Sequence, residues 1–296
     1  MSGVRIAPLA ECDIAVQLGG SDPDTRARRR ESVTAGAVAM FADLGPAAHH
    51  IVLVSSALVY GAWDNNPVPL TEDAVLRPDV EFAFARQLAA VEQITDAWRR
   101  ERPGRTVTVL RPVVTMAADG TTGLASALAA GMGQRLGEED PPAQFLHLED
   151  LAAAVTLAVE RSLDGVFNVA PDGFIPAESV RALAGATPRL RLPDRMAEVI
   201  NSLRWRFQRG PIPPGLGSYT RSPWLVANDR LKAAGWLPTV TNEEAYVEGT
   251  EAKWWTMVTP KRRQELALAG MAIGGVALVM AIYRVIRSVH ARRARR

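Results

Sequence analysis

One cysteine, Cys12, is all the chain contains, so an internal disulfide is excluded and the lone thiol fits a reducing compartment. Charge of one sign is lacking too. The 34 lysines and arginines nearly cancel the 32 aspartates and glutamates, leaving a net charge of +2, and no bulk excess demands nucleic acid as a partner. The N-terminus has no long apolar core and carries Glu11 and Asp13 early, so no secretory signal is expected and the folded body is placed in the cytosol. Internal repeats are missing, as is any low-complexity tract apart from the arginine-rich end. Hydrophobic residues at 48% and charged residues at 22% give an ordinary globular balance, which argues against wholesale disorder.

What is present alternates. A strand signal at 13–18 closes on Gly19-Gly20, and a helical pattern from about Ser32 to Leu44 ends at Gly45-Pro46. The run Ile51-Val52-Leu53-Val54 is apolar on both faces, as expected of a strand inside a parallel sheet. Asp79 to Arg100 has the length of a helix, and Thr106 to Leu110 reads as the next buried strand. Leu148 to Glu160 reads as a helix and Gly165 to Val169 as a strand. This order predicts βαβ units, hence an α/β fold with a partial doubly wound, Rossmann-like parallel sheet over residues 1–169.

From 170 to 258 prolines break the pattern, and a smaller C-terminal lobe is expected, with a helix near Arg195 to Arg206. Residues 259–296 differ again. Leu266 to Tyr283 carries no charge and lies between Lys261-Arg262-Arg263 and a basic tail ending at Arg296. As a helix at ~1.5 Å per residue it covers roughly 27 Å, close to a hydrocarbon core of ~30 Å. Trp254-Trp255 and flanking arginines extend that reach, and Thr259-Pro260 suits a helix start. A membrane-anchor helix is expected here, with lipid as its partner and the body on the cytoplasmic face. Both flanks are basic, so a single spanning helix and a shallow or hairpin-like insertion both remain open. Gly270 and Gly274 offer a small-residue face for pairing with another helix.

The octet Val54-Ser55-Ser56-Ala57-Leu58-Val59-Tyr60-Gly61 resembles the strand-to-loop motif of the extended short-chain dehydrogenases, of the nucleotide-sugar epimerase and dehydratase type. Further segments resemble that family in the same order. These are 13–24, Leu110-Arg111-Pro112, Phe145 to Ala152, and Gly165 to Ala170. The resemblance implies hydride chemistry with NAD or NADP, using a tyrosine that exchanges a proton with the substrate, a lysine one helical turn later, and a serine on the preceding loop. Aligned on Glu92, Phe84 stands at the tyrosine position and Leu88 at the lysine position. Only Ser56 is retained. A shifted alignment pairs Phe82 with Arg86 and also lacks a proton donor. No Tyr-x-x-x-Lys occurs anywhere in the chain. No Gly-x-x-Gly-x-x-Gly turn precedes Asp13, so the half-sheet that would cradle the adenosine end is expected to be missing.

Ser55, Ser56, Tyr60, Arg111 and Pro112 are therefore substrate-binding candidates or a retained scaffold. Tyr219 and Trp224 form a second candidate ligand wall, although Trp205, Trp224 and Trp236 also suit a core. No metal site is expected, since His147, Glu149 and Asp150 cannot all face one point, and His147 is read as a helix cap. His49-His50 is read as a solvated loop, and Arg26 to Arg30 as a solvated face.

Three functions follow. One is an inactive binding or regulatory homologue, taking no cofactor as given, near envelope or glycoconjugate metabolism. Another is an active epimerase, dehydratase or reductase that uses NAD or NADP and whose cofactor-binding half lies outside this chain or on a second one. The third is a structural membrane protein. If three strands are missing, the first strand is a sheet edge, and an oligomer through that edge is expected.

Overall fold

A computed structural model describes residues 12–18, 33–118, 121–131, 141–183 and 215–250. The described residues belong to one compact unit, which ends at Thr250. Four parallel strands make the main sheet: β1 (Ile14–Leu18), β2 (His50–Val54), β3 (Thr106–Pro112) and β6 (Gly165–Val169), in the order β1-β2-β3-β6. Pairing is in register from Ile14 against His50 through to Pro112 against Val169.

Helices cover both faces of the sheet, because successive strand residues point to opposite sides. Ile51 and Leu53 of β2 pack with Ala37, Val91 and Trp98. These come from helices α1 (Val33–Asp43) and α2 (Ala83–Arg100). Val52 and Val54 face the other way, in a cluster with Ala154 and Ala158 of α4 (Leu148–Glu160). All five residues of β2 are buried, which is why its sequence does not alternate.

Beyond the sheet, β4 (Val114–Met116) and β5 (Phe145–His147) form a two-stranded parallel sheet, separated in sequence by α3 (Gly123–Gly131). Helix α5 (Ala177–Leu183) follows β6. After it come α6 (Asp229–Ala233) and α7 (Asn242–Gly249), the latter with a capping box made by Thr241 and Glu244. The ring of Tyr246 in α7 stands edge-on to Phe145 at 4.8 Å.

The α/β class and the parallel sheet read from the sequence hold. The short strand at 145–147, with β4 and α3, adds to the elements that the pattern indicates. Three-residue strands carry too little pattern to stand out. His50 corrects the solvated-loop reading: it is 0% exposed and begins β2, whereas His49 is exposed. Among the described residues, no helix is long and apolar enough to cross a membrane. Leu266–Tyr283, Trp254-Trp255, Gly270, Gly274, Trp205, the helix near Arg195 to Arg206 and the Arg26 to Arg30 run lie outside the described residues.

Candidate active site

Parallel α/β sheets place their chemistry at the carboxyl ends of the strands. Here those ends carry Ser55 after β2, Arg111 in β3 and Asn168 in β6. All three enter one buried hydrogen-bond network. Ser55 donates its hydroxyl to Glu92 Oε1 at 2.6 Å. Arg111 donates Nε to Glu92 Oε1 at 3.1 Å and Nη2 to Glu92 Oε2 at 2.6 Å. Its Nη1 reaches the Tyr60 hydroxyl at 2.7 Å, and that hydroxyl donates to Asn168 Oδ1 at 2.7 Å. The Asn168 backbone N–H then donates to Glu72 Oε1 at 2.9 Å.

Charge and burial explain the titration of this cluster. Burial by itself would lower the Arg111 pKa, but the bonds and charge of Glu92 outweigh it and the net shift is upward. Burial raises the Tyr60 phenol, with Arg111 opposing. The Arg111 guanidinium also lies over the Tyr60 ring, 4.8 Å from its centroid.

Ser55, Tyr60 and Arg111 are thus brought together, but with their polar groups turned on one another and 6%, 1% and 5% exposed. Pro112 is buried at the end of β3, and its carbonyl accepts a 3.4 Å bond from Ser56. Ser56 is the one partly exposed residue of the set, and its Oγ also accepts from Leu58 N at 3.2 Å as a local cap.

The second candidate wall is also core. Tyr219 is fully buried and donates its hydroxyl to the Leu58 carbonyl at 2.6 Å, and burial pushes its pKa up. Trp224 donates its indole N–H to the Tyr219 carbonyl at 2.9 Å. A cavity that Trp224 lines with Val113, Pro142, Ala143, Gln144 and Leu225 offers about 10 Å3, room for one water.

Sequence reasoning missed several residues that join the segment 228–242 to the rest of the fold. Asp150, 1% exposed, accepts from Thr239 N, Thr239 Oγ1 and Val240 N at 2.6–3.1 Å. Asn228 donates to the Ala170 carbonyl and Asn242 to the Asp172 carbonyl, both at 2.9 Å. Lone polar residues in a coarse pattern give no signal for these roles. His147 does cap α4, its Nδ1 accepting from Glu149 N at 3.3 Å, and its Nε2 lies 2.7 Å from Glu248 Oε2. Among the described residues, no group of His, Cys, Asp or Glu is placed to hold a metal ion.

On α2, the residues at the positions of the expected tyrosine and lysine offer no proton donor and no cation. Leu88 is 1% exposed and clusters with Val59 and Ala89, while Phe84 is partly buried against them. Groups of this kind do not fit the nicotinamide ribose of a dinucleotide, which needs hydrogen-bond donors and a positive charge.

The sheet order, the strand-end network and the serine-tyrosine loop define a doubly wound protein of the extended short-chain dehydrogenase/reductase class. The sequence model of the NAD dependent epimerase/dehydratase family matches residues 6–170, more than half of the chain, and the chain belongs to that family. It is 29% identical over 272 residues to uncharacterized protein Rv0501 of Mycobacterium tuberculosis and, equally, to uncharacterized protein Mb0513 of Mycobacterium bovis. Each match covers 91% of this chain and 70% of the relative.

Three solved structures share the fold. RMD from Pseudomonas aeruginosa, complexed with NADPH, matches with a TM-score of 0.56 and 18% identity, covering 81% of this chain and 82% of that one. UDP-glucose 4-epimerase from Thermotoga maritima, with UDP-glucose, gives 0.54 and 18%, covering 83% and 78%. UDP-glucose 4-epimerase from Thermus thermophilus, complexed with NAD, gives 0.50 and 19%, covering 73% and 66%.

Proposed function

We propose that this chain is a catalytically inactive, binding or regulatory member of the epimerase/dehydratase family, held at the cytoplasmic face of a membrane near envelope or glycoconjugate metabolism. The observation that carries this reading is Leu88, apolar and 1% exposed at the position where the family resemblance puts a lysine. With Phe84 at the tyrosine position, neither the acid/base group nor the cation that tunes it is present. The charge-free run Leu266–Tyr283 and its basic flanks support the membrane assignment, with lipid as partner. Strand β1, which pairs only with β2 among the described residues, supports an oligomeric partner through that edge, and Gly270 and Gly274 support helix pairing. The near-zero net charge gives nucleic acid no role.

Calorimetric titration of the full chain with NAD and with NADP tests the first part. No saturable heat is expected from either nucleotide, and micromolar binding would overturn the reading. Fractionation tests the second. The full chain is expected with membranes and a truncation after Thr259 in the soluble fraction, and a fully soluble full-length chain would defeat the anchor.

A second reading has its own support. Ser56 keeps its loop position and partial exposure, and the Ser55–Glu92–Arg111–Tyr60 network around it is complete. In that reading the chain is the substrate-side part of an active epimerase, dehydratase or reductase, with NAD or NADP held by a part lying outside this sequence or supplied by a second chain. Turnover by the full chain once such a second chain is added would favour it.

A further inference from the structure

We propose that Phe84, Gln87 and Leu88 form an internal joint that seats the first turn of α1, so that this face of α2 is committed to the fold and closed to a nucleotide. Positions 84, 87 and 88 lie three and four apart and share one face of α2. Leu88 forms a cluster with Val59 and Ala89, and Val33, Leu76 and Phe84 pack against it. Val33 is the first residue of α1, and its backbone N–H donates to Gln87 Oε1 at 3.1 Å. The first N–H groups of a helix have no partner within the helix, and Gln87 satisfies one of them from a neighbouring element. Val33 also packs on the cluster between the sheet and α1 and α2, so one residue ties the joint to the core.

The third arm of the joint is Leu76. It is fixed by its neighbour Arg77, whose carbonyl accepts the Trp63 indole N–H at 2.8 Å and whose Nη2 donates to Asn66 Oδ1 at 2.9 Å. Three segments distant in sequence therefore converge on Leu88. Leu88 is 1% exposed, so these packing contacts occupy its whole side chain. A nucleotide could reach it only if Val33 or Leu76 withdrew, which would return apolar surface to water and orphan the Val33 N–H. Restoring the family pair would accordingly fail for a structural reason, because a lysine at 88 puts an unpaired ammonium among Val33, Val59 and Leu76. This inference deepens the inactive reading, and its test separates the two.

Hydrogen exchange of the full chain, resolved to the first turn of α1, is the measurement. Gln87→Met removes the acceptor at similar volume, and Leu88→Ala opens the cluster. Both are expected to speed amide exchange at Val33 to Ala37 at least tenfold, while Arg86→Ala, on the exposed face of the same helix, leaves it unchanged. Unchanged exchange in Gln87→Met and Leu88→Ala would overturn the joint. So would a Phe84→Tyr, Leu88→Lys chain that melts at the wild-type temperature and binds NAD saturably. If Leu88→Ala does not fold, Gln87→Met still decides. Nucleotide binding by the wild type would end the inactive reading, while the exchange of α1 would still judge the joint.

Discussion

Arg111 and Glu92 meet as a two-pronged ion pair, Nε to Oε1 at 3.1 Å and Nη2 to Oε2 at 2.6 Å, with side chains 6% and 7% exposed. Buried pairs of this kind are weak sources of net stability, but removing one member strands the other charge. Glu92→Gln or Arg111→Met is expected to cost about 3–5 kcal/mol, measured by urea unfolding. The double replacement Glu92→Leu with Arg111→Met should cost less than the sum of the two single changes. A loss under about 1 kcal/mol in both single variants, the scale of an exposed pair, would contradict the burial argument.

His50 gives the fold a dependence on pH. Thr108 donates its hydroxyl to the Leu163 carbonyl and so accepts from His50 Nε2 at 2.9 Å, leaving Nδ1 buried without a partner among the described residues. Burial, then the neighbouring His49, lowers the His50 pKa from 6.5, with Asp164 opposing. The unfolded chain therefore takes up the proton first as pH falls. The stabilisation is complete above pH 6.5 and declines below it, toward the lowered value in the fold. Wild type should lose more stability than His50→Asn between about pH 7.5 and 5.5, and parallel profiles would rule this out.

Asp150 is the tie between α4 and the chain after α6, accepting three donors from Thr239 and Val240. Bonds to a charged acceptor contribute about 1.5–3 kcal/mol each, but the effects are not additive. Asp150→Ala is expected to cost at least about 3 kcal/mol and to raise amide exchange at Thr239 and Val240 before that of β2. Uniform exchange across both segments would show that Asp150 carries no local role.

Gly61 holds φ at +72°, and a Cβ there would stand 2.1 Å from the Arg77 carbonyl oxygen and 2.3 Å from the Trp63 indole nitrogen. Gly61→Ala is expected to lose more than about 2 kcal/mol, combining backbone strain with the Trp63–Arg77 bond. Chemical denaturation measures this, and a near-neutral outcome would mean that the 61–82 loop can move aside.

Much of the sheet was legible because its strands are short apolar runs and its helices end at Gly and Pro signals. Leu148–Glu160 and Gly165–Val169 fall at the residues the pattern indicated. The site was legible only in part. The residues that carry the family resemblance, Ser55, Tyr60 and Arg111, lie together at the strand ends. A sequence does not reveal whether a hydroxyl or guanidinium faces a ligand or another side chain, and here Glu92 and Asn168 take them. His50 was misplaced because two adjacent histidines look solvated, while the strand register sets the second beside Thr106 and its ring bonds the Thr108 hydroxyl. The short pair β4 and β5 depends on contacts with α7, more than 90 residues later in the case of Asn242 and Phe145, which no local window contains.

The ties between the strand ends and the later chain also govern the order in which the protein can be made. Tyr219 bonds the Leu58 carbonyl across 161 positions, Gln144 bonds Val226 across 82, and the amide of Leu70 is held by the Leu225 carbonyl. During synthesis, β1, β2, β3 and β6 emerge well before any of these partners. The Leu70 amide and the Leu58 carbonyl then wait in water, and the face that Trp224 and Leu231 later cover stays open. At ~5–20 residues per second, the interval from Val169 to Leu231 is on the order of several seconds. The nascent chain therefore passes through a stage with a formed half-sheet and an uncovered end, the stage at which a chaperone or a partner chain has its best access.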